Sequence, residues 1–125
     1  MADLPEDVSR AWDDREGPVV FTTVDKKGMP NSIYVTCVKK YSDDTIVIAD
    51  NYFNKTRANI KKGCSGSVLF LSRDKKSYQI KGTLNYHTDG VYYNDMKKWL
   101  DSRFPGVATV ELTVKEVYCG GERLL

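Results

Sequence analysis

The sequence predicts a mainly β protein with short helices, in which six antiparallel strands close into a small barrel. Three observations lead there. Runs rich in β-branched residues are separated by short polar turns, first "DKKG" and then "YSDD", and such turns join antiparallel neighbours. No regular alternation of strand and helix runs down the chain, which argues against a doubly wound parallel sheet. A glycine, Gly82, interrupts a long strand pattern, as a bulge or bend in a barrel wall does.

The elements follow in order. "LPEDVSRAWDDREG" reads as a short helix: Pro5 suits the first turn, and Glu6 and Asp7 complement the positive end of the dipole. Val8, Ala11, Trp12 and Arg15 fall on one stripe, and Gly17 and Pro18 are expected to stop it. "VVFTTV" is the first strand and "DKKG" its turn. "PNSIYVTCVKK" is a second strand, with Pro30 at its first residue, where a missing donor does least harm. "TIVIAD" is a third, apolar enough to be central.

A short basic helix follows over residues 55–62, then the strands "GSVLFLSR" and "YQIKGTLNYH". A larger helix lies within "TDGVYYNDMKKWLDSRFPG". Tyr92, Met96, Trp99 and Leu100 keep its 3.6-residue period, Val91 and Phe104 extend that side, and Pro105 and Gly106 end it. In "VATVELTVKEVYCGG", Val110, Leu112 and Val114 alternate with Glu111, Thr113 and Lys115.

The composition narrows the function. A chain of 125 residues suffices for one domain with one core, and residues 1–125 are read as such. A net charge of +2 is too small to imply nucleic acid. Lysine pairs at 26–27, 39–40, 61–62, 75–76 and 97–98 sit at turns or strand ends, several beside Asp25, Asp43, Asp44 and Asp74, as on a solvated rim. No run reaches the roughly 18 apolar residues of a membrane span. The acidic start lacks an apolar signal core, so a cytoplasmic protein is expected. Cys37, Cys64 and Cys119 form no zinc pattern and no obvious disulfide framework, and no metal site is expected.

The chemistry concentrates in "DNYFNKTRANIKKG", residues 50–63. Asn54 is placed to cap the helix, Phe53 to staple onto Ala58, and Gly63 to end it. Lys61 and Lys62 suit the C-terminal end. Lys55 and Arg57 lie at the N-terminal end, where cations are unfavourable, so a compensating anion is expected. A phosphate fits, held by Lys55, the hydroxyl of Thr56 and first-turn amides. A solvated helix with an ordinary cap is the plain alternative.

The spacing of these residues resembles the pyridoxamine 5'-phosphate oxidase-like family of FMN-binding split barrels, in particular its small single-domain branch. The matching features are Pro30, Asn31 and Ser32 at a strand start, Ala49, Asp50 and Asn51 at a strand end, and Asn54, Lys55, Thr56 and Asn59 in the helix. The resemblance spans about residues 10 to 118. It implies an FMN cofactor, with Lys55 and Thr56 on the phosphate and Asn31, Ser32 and Ile33 along the phosphate and ribityl side. Asp50, Asn51 and Tyr52 border the isoalloxazine ring. Asn59 contacts the cofactor or fixes the loop.

The resemblance also implies a homodimer with flavin near the interface, in which Tyr92, Tyr93 and Trp99 pack over flavin or partner, or simply serve the core. The implied function is a flavin-dependent oxidoreductase or electron carrier, acting with a small molecule or a redox protein. An alternative is a protein of the same barrel that binds another ligand, haem or a deazaflavin, without flavin redox activity. The tail "YCGGERLL" offers Arg123 alone as a second phosphate anchor, so pyridoxamine-phosphate oxidase turnover is not expected. The lone His87 is a candidate base but fits a turn-lining role better.

Overall fold

The computed structural model describes residues 3–125. The elements are α1 (Glu6–Asp13), β1 (Arg15–Val24), β2 (Pro30–Val35), β3 (Val38–Ser42), β4 (Thr45–Asp50), α2 (Lys55–Lys61), β5 (Ser65–Ser72), β6 (Ser77–His87), α3 (Gly90–Trp99), β7 (Ala108–Cys119) and β8 (Glu122–Arg123).

The strands form one antiparallel sheet in the order β2-β1-β5-β6-β7-β4-β3, with β8 added to β7. β2 and β3 stand at opposite ends of that order, yet only Thr36 and Cys37 separate them in the chain. The sheet must therefore curl until its two ends adjoin, and no ladder joins them. This is a split antiparallel barrel, as the sequence predicts, with eight strands rather than six.

The two extra strands have separate origins. The "PNSIYVTCVKK" segment breaks after Val35, because its first half pairs with β1 and its second with β4. The C-terminal tail turns at Gly120 and Gly121 and pairs back, Tyr118 opposite Arg123.

The interior is built by alternation. β6 buries Tyr78, Ile80, Gly82 and Leu84 and turns Lys81, Thr83 and Asn85 outward. β4 is buried at all six positions, which fits its place between β3 and β7 under α3. Phe21, Ile46, Ile48, Ile80 and Leu112 are fully buried. Trp12 meets Phe70 edge-on at 5.2 Å, so α1 is docked by its predicted stripe of Val8, Ala11 and Trp12.

Gly17 and Pro18 do not stop this helix. It ends at Asp13, and they lie inside β1, where the register against β5 shifts between Glu16 and Val20. Arg15 is in the strand, with its guanidinium 4.3 Å above the Trp12 ring. Gly82 marks the expected bulge against β7, and an added Cβ would lie 2.0 Å from the Thr113 carbonyl oxygen. α3 ends at Trp99, six residues before Pro105. Among the described residues no helix is long and apolar enough to cross a membrane.

Candidate functional site

The C-terminal end of β4 is the pivot. Asp50 is fully buried there and its carboxylate meets four donors. Oδ1 accepts the Phe53 amide at 2.9 Å and Arg57 Nη2 at 3.2 Å. Oδ2 accepts Arg57 Nε at 2.8 Å and the Tyr86 hydroxyl at 2.6 Å. Burial of this kind is tolerable only when the charge is paired and its lone pairs are satisfied.

The hydrogen bond from Arg57 to Asp50 raises the guanidinium's pKa further. Burial, and then the bond to Asp50, pushes the Tyr86 hydroxyl up to about 12. The compensating anion for Arg57 is thus a carboxylate of the protein, and the expectation that Arg57 awaits a ligand is corrected. With all four bonds made, Asp50 has no carboxylate oxygen free for the ring it was expected to border.

The rest of α2 also differs from expectation. It is seven residues long, and the Asn54 side chain makes no capping bond. Phe53 turns toward Phe21, 6.2 Å between ring centroids, and packs on the core. A helix this short is held by docking. Ile60 enters the core, Asn59 Nδ2 donates to Thr23 Oγ1 at 3.0 Å, and Asn31 Nδ2 donates to Thr56 Oγ1 at 2.9 Å.

Lys55 is exposed, and among the described residues it has no ion-pair partner. It shares a recess of about 330 Å³ with Asn31, Asn59 and Asp25. Asp25 opposes an anion there, although its Oδ1 is already occupied by the amides of Lys27 and Met29. Thr56 is buried beneath, bound to Asn31, with its own hydroxyl proton left to donate.

Two residues along β2 the character changes. Ile33, Asn51 and Tyr52 line a second groove of about 340 Å³ together with Cys37, Phe53 and Phe104. No Asp, Glu, Lys, Arg or His lines it. Asn31 and Ile33 share one strand, about 6.6 Å apart at ordinary strand rise. A charged recess and an uncharged groove therefore follow one another along β2.

Seven of the nine expected site residues gather around these two cavities or immediately beneath them. Asp50 is buried and lines neither cavity, and Ser32 is exposed and hydrogen-bonded to Thr22 at 2.8 Å. Phe104 reaches the groove because Asn51 Oδ1 accepts the Gly106 amide at 3.0 Å and the Asp50 carbonyl accepts that of Val107 at 2.9 Å. Sequence reasoning assigned Phe104 to a helix. The proline and glycine after it were the available sign that it belongs to a returning loop.

Other candidates lie elsewhere. His87 Nε2 pairs with Glu111 at 2.9 Å and its ring meets Tyr92 at 5.2 Å. Tyr92 also packs on Tyr41, Lys97 lies over Tyr93, and neither tyrosine nor Trp99 lines the groove. Arg123 is engaged within the C-terminal hairpin, donating to the Leu125 carbonyl and lying over Tyr118. Among the described residues no cluster of three or more His, Cys, Asp or Glu could hold a metal.

Comparison with known proteins places this geometry in a family. The sequence profile of pyridoxamine 5'-phosphate oxidase matches residues 6–119. The chain belongs to the pyridoxamine 5'-phosphate oxidase family. Over 109 residues, which cover 82% of this chain and 73% of the relative, the chain is also 28% identical to an uncharacterized protein of Methanocaldococcus jannaschii. The crystal structure of Group A Streptococcus HupZ superposes with a TM-score of 0.80 at 25% identity, over 93% of both chains. An FMN-binding protein of Syntrophomonas wolfei subsp. wolfei shares the fold, with a TM-score of 0.77 at 23% identity over 90% of this chain and 82% of that one. The family match covers every element from α1 to β7, so the recess and groove lie wholly within it.

Proposed function

We propose that this protein binds FMN and acts as a flavin-dependent oxidoreductase or electron carrier. The observation behind the reading is the succession of two cavities along β2: a recess with Lys55, Asn31 and Asn59 in its wall and Thr56 bound to Asn31, then a mostly apolar groove without charged side chains. A phosphorylated, flat and largely apolar cofactor needs both. The FMN-binding protein that shares the fold supports the choice of cofactor.

In this reading Lys55 neutralises the phosphate, the Thr56 hydroxyl donates to it, and Asn31 orients Thr56. Asn59 keeps the recess in shape through Thr23. Ile33, Phe53 and Phe104 supply apolar contact and exclude water, while Asn51 fixes the loop that brings Phe104. FMN, when bound, supplies the redox chemistry, and the protein supplies position and electrostatics. This reading expects no turnover of a phosphorylated amine of the vitamin B6 type: Arg123 donates to the Leu125 carbonyl within its own hairpin, and the groove is lined by no cation of this chain.

The working unit is a homodimer with flavin near the interface. Tyr34 and Tyr52 stand at the groove with 76% of their surface exposed, and a second copy would cover them. Sedimentation at micromolar concentration tests this, and a monomer that binds FMN tightly removes it.

The redox reading is tested by anaerobic titration of the FMN-loaded protein with NADH, NADPH and dithionite, followed by an assay with pyridoxamine phosphate. Bleaching by a nicotinamide marks a reductase. Bleaching by dithionite alone marks a carrier reduced by another protein. Rapid turnover of pyridoxamine phosphate contradicts the substrate reading, and failure to retain any flavin absorbance contradicts the whole.

A further inference from the structure

We infer that Asp50 and Arg57, which bond to each other and line neither cavity, set a preference for phosphorylated over unphosphorylated flavin by fixing the rotation of α2. The inference rests on the proposed FMN site.

The geometry of a helix carries it. Successive residues are about 100° apart, so Lys55 and Arg57 point about 200° apart around the axis. Lys55 and Asn59, four residues apart, share one face and line the recess together. Arg57 and Lys61 share the opposite face. There Arg57 forks onto both oxygens of Asp50, and Lys61 lies 5.2 Å over the ring of Tyr86, whose hydroxyl also binds Asp50. Whatever holds the Arg57 face against β4 and β6 therefore turns the Lys55 face toward β2.

The fork suits that task. Two N–H groups on two carboxylate oxygens fix the guanidinium plane, where one bond leaves it free to swivel. The neutral tethers from Thr56 and Asn59 hold the recess face in place but are single bonds. α2 is short and carries no side-chain cap, so it has little rigidity of its own. Asp50 and Arg57 are positioning residues: their effect reaches the ligand through Lys55 and Thr56.

The test is equilibrium titration of wild type, D50N, R57Q and R57K with FMN and with riboflavin, which has the ring and ribityl chain but no phosphate. Wild type is expected to prefer FMN. R57Q should lower the ratio of FMN to riboflavin affinity by about tenfold or more, leaving riboflavin binding nearly unchanged. R57K keeps the charge without the fork and should fall between. D50N should match or exceed R57Q, and where it fails to fold, R57Q carries the test, since Asp50 then keeps Tyr86 and the Phe53 amide. An unchanged ratio in R57Q, or equal weakening of both ligands, overturns the inference and leaves the FMN site standing. A wild type that does not distinguish FMN from riboflavin overturns the phosphate site itself, and this inference with it.

Discussion

Two faces of one short helix carry cations under opposite conditions. On one face Arg57 meets a carboxylate with no exposed surface, which also holds Tyr86 and the Phe53 amide. On the other, Lys55 stands exposed at a recess with no ion-pair partner among the described residues. The first arrangement locks the helix to the barrel, and a lone exposed lysine on the second contributes little to folding. The difference separates a cation that the fold consumes from one that it leaves for a ligand. Both looked alike in the sequence, two basic residues in an acid-free first turn.

The contrast is broken most severely by removing its buried partner. Asp50→Ala strands Arg57 and deprives Tyr86 of its acceptor. Loss of one member of a buried pair costs about 3–5 kcal/mol, and the lower end applies here because Arg57 is a third exposed. Urea unfolding of the variant measures it, and a loss indistinguishable from that of a surface substitution would mean the pair does not lock α2.

Lys55→Ala sharpens the contrast from the other side. Its stability should stay within about 0.5 kcal/mol of wild type, as for a surface change. Its FMN affinity should fall by roughly 1.5–3 kcal/mol, one charge-assisted bond. Parallel urea and flavin titrations separate the two effects.

Tyr86→Phe probes the locked face by pH. The folded protein holds the Tyr86 proton more tightly than the unfolded chain does, so that stability is fully present below about pH 10 and is lost as pH rises toward about 12. The variant lacks this loss. At neutral pH it should be less stable by about 1.5 kcal/mol, and the gap should narrow across pH 10–12. Parallel stability curves through that window would remove Tyr86 from the network.

Asn31→Ala has the smallest expected effect. It removes the hydrogen bond to Thr56, about 1 kcal/mol. Calorimetric FMN titration should show a weaker affinity than wild type but a stronger one than Lys55→Ala.

Much of this fold was legible locally. The β-branched runs, the turn before Pro30, the stripe of α1 and the bulge at Gly82 are all set by neighbouring residues. What escaped depends on distant partners. Residues 30–40 read as one strand because nothing at Thr36 or Cys37 breaks the pattern; the break exists only because the two halves pair with different neighbours. Gly17 and Pro18 carry a stop signal that the structure uses as an irregularity inside β1. Glu122 and Arg123 have no strand character of their own and pair only because two glycines turn them back.

At the site, Lys55 and Thr56 stood out because they share one basic first turn, whereas Asn31, twenty-five residues from Thr56, and Asn59 entered only through the family resemblance. Tyr86, thirty-six residues from Asp50, and Phe104, returned by a loop, did not stand out. The pairing of Arg57 with Asp50 had one visible sign: a carboxylate ending an apolar strand, where its charge must find a partner.

Whether Lys55 holds the flavin phosphate is decided by a spectroscopic FMN titration of wild type beside Lys55→Ala, with unfolding curves of both. Wild type should retain flavin absorbance, the variant should bind about ten- to a hundredfold more weakly, and the two should unfold together. Equal FMN affinity in the two proteins would contradict that role, because the phosphate would then rest somewhere other than the recess that Lys55 guards.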